Sequence, residues 1–170
     1  MAMTRAKRQK FLEAYENYHD AIYRHCFFRV FNKQRAEEVC QEAFMKVYDY
    51  MRSHEVENIR AFLYRVANNL VIDESRKRKE ESLDKLMELY EGFGPSKDSR
   101  EESEKHLLLK EIFLHFTKLT VEERNLLHMR YVDDLDPKDI APILEISANN
   151  VSVKLNRAMN KLRKIVTKKH

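Results

Sequence analysis

Two glycines and three prolines in 170 residues leave this chain almost without the residues that tight β-hairpins and phosphate-cradling loops depend on. Both devices need backbone with positive φ, which glycine adopts without steric penalty. The shortage argues against a hairpin-rich sheet protein and predicts an almost wholly helical one. Cysteine is scarce too. Cys26 and Cys40 show no Cys-x-x-Cys spacing and no grouping with histidine, so they read as buried thiols, with redox sensing or metal binding as the alternative. No apolar run exceeds the four residues from Ala61 to Tyr64, far short of the ~20 that a membrane span requires. The basic start through Arg5, Lys7 and Arg8 has no apolar stretch behind it and does not read as a signal peptide. These absences predict a cytoplasmic chain with no membrane insertion.

Charge, by contrast, is abundant, with 32 Lys+Arg against 28 Asp+Glu. It is unevenly placed. Residues 1–79 carry 16 basic and 11 acidic groups, residues 80–104 carry 3 and 9, and residues 105–170 carry 13 and 8. Two basic pieces thus flank an acidic one that holds both glycines, in Gly92-Phe93-Gly94-Pro95. The middle piece reads as a linker, although Leu83, Leu86, Met87 and Tyr90 form a short apolar stripe within it. Taking 23 linker residues at ~3.3 Å each gives a reach of about 75 Å. Residues 151–170 hold seven basic side chains and no acidic one, a tail suited to a polyanion or, more simply, a solvated helix face.

In the first piece, Phe11, Tyr15, Tyr18, Ile22 and Cys26 recur at helical spacing up to about Val30. A second helix begins near Asn32. Val39, Ala43, Val47 and Met51 make one apolar ridge of it and Cys40, Phe44 and Tyr48 another, while Glu38, Gln41, Glu42, Lys46 and Asp49 look the other way. A third helix runs from an Asn58 cap to the basic end Arg76-Lys77-Arg78-Lys79. Arg65, Asn68, Asn69, Ile72 and Arg76 share an outward stripe on it. Adjacent asparagines are poor helix formers, but their amides are apt for reading base edges. A solvated surface or a bend is the plainer account of the same pair.

The last piece shows clear capping signals. Thr120-Val121-Glu122-Glu123 is a capping box, Asp136-Pro137 supplies an N-cap with a first-turn proline, and Ser147 caps a final helix. Helices are predicted over about 121–132, 137–144 and 148–165, after an apolar one around Leu107 to Leu119. Only Glu145-Ile146-Ser147 separates the second and third, as in a helix-turn-helix. Ile140, Ala141, Leu144, Ile146, Val151, Leu155 and Leu162 are placed to knit that pair. Its exposed first turns offer Asn149, Asn150, Ser152, Val153, Lys154 and Arg157 to a major groove, with Lys161 one turn further on; a helix pair that touches no DNA is the alternative. No glycine-rich phosphate loop, nucleophile elbow or metal-ligand cluster is present, and His19, His25, His106, His115 and His128 are scattered singly. The expectation is a non-enzyme without cofactor or metal.

Taken in order, Ala36 to Phe44, Ala61 to Asp73 and Leu126 to Arg163 resemble a bacterial RNA polymerase sigma factor of the extracytoplasmic-function group of the sigma-70 family. The resemblance runs from about Phe11 to Val166. It implies an all-α chain of two small helical domains joined by a flexible linker: a region 2-like bundle over 1–79, the acidic linker over 80–104, and a region 4-like helix-turn-helix domain over 105–170. It also implies a transcription initiation factor that binds core polymerase through the clamp coiled coil of the largest subunit, at Glu38, Gln41, Glu42 and Lys46. Phe62, Arg65, Asn68, Asn69 and Arg76 would meet the minus-ten element as captured single strand, with the loop Ser53 to Asn58 forming part of the base pocket. Asn149, Asn150, Ser152, Val153, Lys154, Arg157 and Lys161 would meet the minus-thirty-five element of the promoter DNA. An anti-sigma partner is a further expectation. The competing reading is a conventional helix-turn-helix regulator that does not bind core polymerase.

Overall fold

A computed structural model describes residues 3–30, 32–77, 115–116 and 118–167. Six α-helices appear among them: α1 (Arg5–Val30), α2 (Lys33–Ser53), α3 (Ile59–Lys77), α4 (Val121–Tyr131), α5 (Pro137–Leu144) and α6 (Ala148–Thr167). The expected linker over 80–104 lies outside the described residues, as does most of the helix expected around Leu107 to Leu119. His115 and Phe116 are helical. No described helix is long and apolar enough to cross a membrane.

The helices start where short polar side chains bond back to the backbone. Asn32 accepts from the Arg35 N–H at 2.8 Å, and Asn58 from that of Ala61 at 3.0 Å. Thr120 and Glu123 form the reciprocal capping box, and Ser147 accepts from the Asn150 N–H at 3.1 Å. Each cap satisfies a donor that the first helical turn leaves open, worth about 0.5–2 kcal/mol.

Helices α1, α2 and α3 pack on one another around Ile22, Cys26, Val39, Cys40, Ala43, Val47, Leu63 and Ala67, all essentially inaccessible to water. Both cysteines are free and buried, as their isolation suggested. At one end Phe11 meets Tyr48 edge-on at 5.1 Å between ring centres, and Tyr15 meets Phe44 at 4.9 Å. A second core joins α4, α5 and α6 through Leu127, Met129, Leu135, Ile140 and Val151. Arg35 ties α2 to α3 by donating to Glu74 at 2.7 Å.

The two cores also meet. Helix α3 packs against α5, which brings Arg60 and Arg65 of the first helical unit onto the helix-turn-helix. The turn between α5 and α6 is left-handed at Glu145, with φ 57° and ψ 37°. A residue with a Cβ costs about 1–2 kcal/mol there.

Candidate polymerase and promoter interface

Glu38, Gln41, Glu42 and Lys46 all lie exposed along α2, opposite its buried ridge. Arg35 pairs with Glu38 at 2.7 Å, and Lys46 with Glu42 at 3.5 Å, so the row is a ladder of water-exposed ion pairs. Such pairs contribute at most about 1 kcal/mol to stability, which leaves the charges open to exchange for a partner's. Met45 stands in the same row, four residues from Gln41 and three from Glu42, and is 59% exposed. It is an apolar side chain held in water within a charged ladder, and periodicity alone assigned it to nothing. Its signal in the sequence was its position off both apolar ridges.

On α3 the expected outward stripe divides. Asn69 and Arg76 are exposed, and Phe62 is half-buried with its ring 4.8 Å from that of Tyr50. Asn68 is not on an outward face: it is buried, with its Oδ1 accepting from Arg29 at 2.6 Å. The same guanidinium donates to the backbone oxygen of Asn125 on α4 at 3.1 Å. Burial pushes Arg29 down to about 10, with Asp133 and Cys26 pulling the other way. Asn68 therefore answers a buried charge, and an amide that looked like a surface base reader serves here as its acceptor.

Arg65 is engaged as well. It donates to the Pro142 carbonyl at 2.6 Å and pairs with Glu145 at 2.8 Å. Pro142 lies in the last turn of α5, where carbonyls lack intrahelical partners and the helix dipole favours a cation. Arg60 approaches Asp139 of α5 at 3.7 Å. In this closed arrangement two of the expected minus-ten contacts, Arg65 and Asn68, are occupied by the protein itself.

The last helix keeps its expected reading face open. Asn149, Asn150, Val153, Lys154 and Arg157 are exposed and fall on one side of α6, beginning at its N-terminus. Ser152 is half-buried and its hydroxyl donates to the Ala148 carbonyl at 3.1 Å. Lys161 is turned back on the fold, with its ammonium 2.8 Å and 3.1 Å from the two oxygens of Glu123 in the capping box of α4. Its helical register put it near the groove face; its ion pair gives it a structural task.

The histidines are not all isolated. His25, His128 and Asp133 converge at the contact between the two cores, an arrangement that the absence of any local ligand spacing had argued against. Local spacing does not register residues that only tertiary packing joins. Burial holds His25 well below its ordinary value and His128 down at about 3, with Arg29 acting in the same direction. Burial likewise lifts Asp133 to about 6.

The Sigma-70 region 2 family matches residues 14–81, and the Sigma-70 region 4 family matches residues 116–162. The ECF RNA polymerase sigma factor SigW of Bacillus subtilis (strain 168) is 29% identical over 163 residues, covering 91% of this chain and 87% of the relative. SigM of the same organism is 29% identical over 155 residues, covering 89% and 91%. Among solved structures, CnrH in complex with the cytosolic domain of CnrY has a TM-score of 0.66 at 16% identity, covering 96% of this chain and 91% of that one. The sigma factor RpoE in complex with the anti-sigma factor NepR, from Bartonella quintana, has a TM-score of 0.62 at 17% identity, covering 94% and 98%.

Proposed function

From a chain that belongs to the sigma-70 family as an extracytoplasmic-function sigma factor directing transcription initiation at promoters, we propose the following division of labour. The α2 row Glu38, Gln41, Glu42 and Lys46, with Met45 among them, docks on the clamp coiled coil of the largest subunit of core RNA polymerase. The observation that carries this is a continuous exposed polar ladder with one exposed apolar anchor, backed by a fully buried ridge.

Helix α3 takes the minus-ten element. Asn69, Arg76 and Phe62 are accessible in the closed form, Arg65 joins them once α3 leaves α5, and Asn68 joins only if Arg29 of α1 also releases its amide. The N-terminal turns of α6 read the minus-thirty-five element through Asn149, Asn150, Lys154 and Arg157, with Ser152 and Val153 shaping the contact. The domain limits that fit this division are 1–79 and 105–170 about an acidic linker. An anti-sigma partner is part of the same reading, because RpoE of Bartonella quintana is found in complex with one.

Energetics separate the chain's part from that of the polymerase. Opening around ten base pairs at roughly 1.4 kcal/mol per step requires on the order of 14 kcal/mol. Trapping one or two extruded bases by stacking returns about 1–3 kcal/mol each. The chain supplies recognition and base capture, and the enzyme channel holds the opened strands. In vitro transcription from a matched promoter with permanganate footprinting tests this: open complex is expected with core enzyme and the chain together, and its formation by the chain alone contradicts the division. A conventional regulator would initiate nothing in that assay, and it leaves the region 2 match without a role.

A further inference from the structure

His25 on α1, His128 near the end of α4 and Asp133 in the following turn come from the two halves of the chain, with His25 and Asp133 108 positions apart. The Asp133 carboxylate faces both rings. One of its oxygens lies 2.6 Å from Nδ1 of His25, and the other lies 3.6 Å from Nε2 of His128. The rings stand edge to face at 5.7 Å. All three side chains are shut away, at 0%, 10% and 2% exposure. Nε2 of both His25 and His128 is buried without a hydrogen-bond partner among the described residues. Orphaned ring nitrogens are rare in a folded interior and call for an explanation.

We propose that His25, His128 and Asp133 form a binding site for a divalent first-row transition cation of the zinc class, and that the bound ion clamps the two halves of the chain together. Two imidazole nitrogens and one carboxylate oxygen suit zinc, cobalt or nickel better than magnesium or calcium, which prefer all-oxygen shells. One ligand atom from each residue already lies within 4.8 Å of the others. Ligands held at about 2.0–2.2 Å around a tetrahedral ion stand roughly 3.3–3.6 Å apart, so side-chain shifts of about 1 Å complete the shell. A water fills the fourth position, as in zinc sites with three protein ligands.

The surroundings oppose the ion with two cations, Arg29 and Arg24, both of which act on Asp133. Nδ1 of His25 shares its proton with Asp133 across 2.6 Å in the ion-free site; on binding, that proton moves to Nε2 of the same ring, so that Nδ1 of His25 and Nε2 of His128 each offer a lone pair to the ion. Arg29 repels a cation, but its guanidinium is already turned to Asn68 and the Asn125 carbonyl. Because His25 belongs to one core and His128 and Asp133 to the other, the ion is retained only while the cores touch. Whatever binds one arrangement better than another shifts the population toward it.

The test is titration of the full chain with Co(II) followed by Zn(II), read by visible absorption. A tetrahedral or five-coordinate Co(II) spectrum saturating at one equivalent, displaced by Zn(II), is expected. His128→Gln and Asp133→Asn should each lower the affinity at least about 10-fold, with helicity by circular dichroism unchanged. Absence of stoichiometric binding to the folded chain, or full affinity in both variants, overturns the site. Should either variant fail to fold, X-ray absorption on the zinc-loaded wild type decides: a nitrogen and oxygen shell with imidazole scattering supports the proposal, and a sulfur ligand contradicts it. Small-angle scattering should show a more compact chain with Zn(II) than with chelator; an unchanged profile removes the clamp. No polymerase or DNA enters these measurements, so their failure leaves promoter direction untouched.

Discussion

The guanidinium of Arg65 donates to the carbonyl of Pro142, 77 positions away in the chain, at 2.6 Å. One residue of the expected promoter-reading helix thereby caps the end of a helix in the other half of the molecule. Glu145 completes the contact from its left-handed turn. The closed arrangement and single-strand capture at Arg65 exclude each other, and the balance between them is open to measurement.

Glu145→Gly relieves the left-handed penalty of about 1–2 kcal/mol and removes the ion pair with Arg65, worth about 0.2–1 kcal/mol at this exposure. Thermal stability of the helix-turn-helix half should hold or rise. Affinity of the free chain for a labelled minus-ten single strand should increase about 1.5–5-fold, as read by fluorescence anisotropy. Unchanged affinity together with an unchanged scattering profile would contradict masking by closure.

Met45→Glu, alone and with Glu42→Lys, tests the α2 row. Both positions are exposed, so the melting temperature should stay within about 2 °C of the parent. Competition for core polymerase should weaken by roughly 10-fold or more, the size expected when an anchor of an interface is lost. Retention of full affinity in the double variant would move the docking surface elsewhere.

On α6, Lys154→Ala should erode discrimination between a cognate minus-thirty-five duplex and a scrambled one. Lys164→Ala, exposed near the other end of the helix, should weaken both duplexes alike and reduce the salt slope by about 0.9 for each phosphate the ammonium had neutralised. Lys161→Ala belongs to a third class, costing stability through Glu123 before it affects DNA. Equal losses on both duplexes for all three lysines would dissolve these distinctions.

The capping pair sets a pH dependence. Burial pushes the Glu123 carboxyl upward, yet the hydrogen bonds from Lys161 and Thr120 outweigh it and hold the group below its ordinary value. A depressed folded value means that the stabilisation is present above the ordinary carboxylate range near 4.3 and is lost as pH falls through the folded value. Glu123→Gln keeps a capping-box amide but loses the ion pair with Lys161, so it should cost about 0.2–1 kcal/mol at neutral pH and flatten this part of the acid limb. Urea unfolding between pH 7 and pH 3 reads both effects, and parallel curves for parent and variant would refute the assignment.

Both thiols should be inert in the folded chain. Burial pushes Cys26 and Cys40 up to about 12, so almost no thiolate exists near neutral pH. Modification by a thiol reagent should run about 100-fold or more slower than in denaturant. Fast labelling of the native chain would show that the first core opens readily.

What was legible in the sequence was local. Asn32, Asn58, Thr120 and Ser147 announce helix starts because a cap and the N–H it serves lie within three residues of each other. The apolar ridges of α2 were legible for the same reason, since periodicity is written along one element. The open face of α6 followed from its register. Asn68 was not legible, because the Arg29 that buries it arrives from 39 positions away. Nor was the meeting of His25 with Asp133, whose ring and carboxylate belong to different cores. Lys161 carried the composition of a DNA-facing tail, and only the nearness of Glu123 gave it another task.

Arg29 reaches an amide in one half of the chain and a peptide oxygen in the other with the same planar fork. A lysine has a single ammonium on a flexible stem and does not reproduce that two-pronged reach. Any descendant that loses this arginine must rebuild two distant interactions at once, so a single side chain couples the evolutionary drift of both halves.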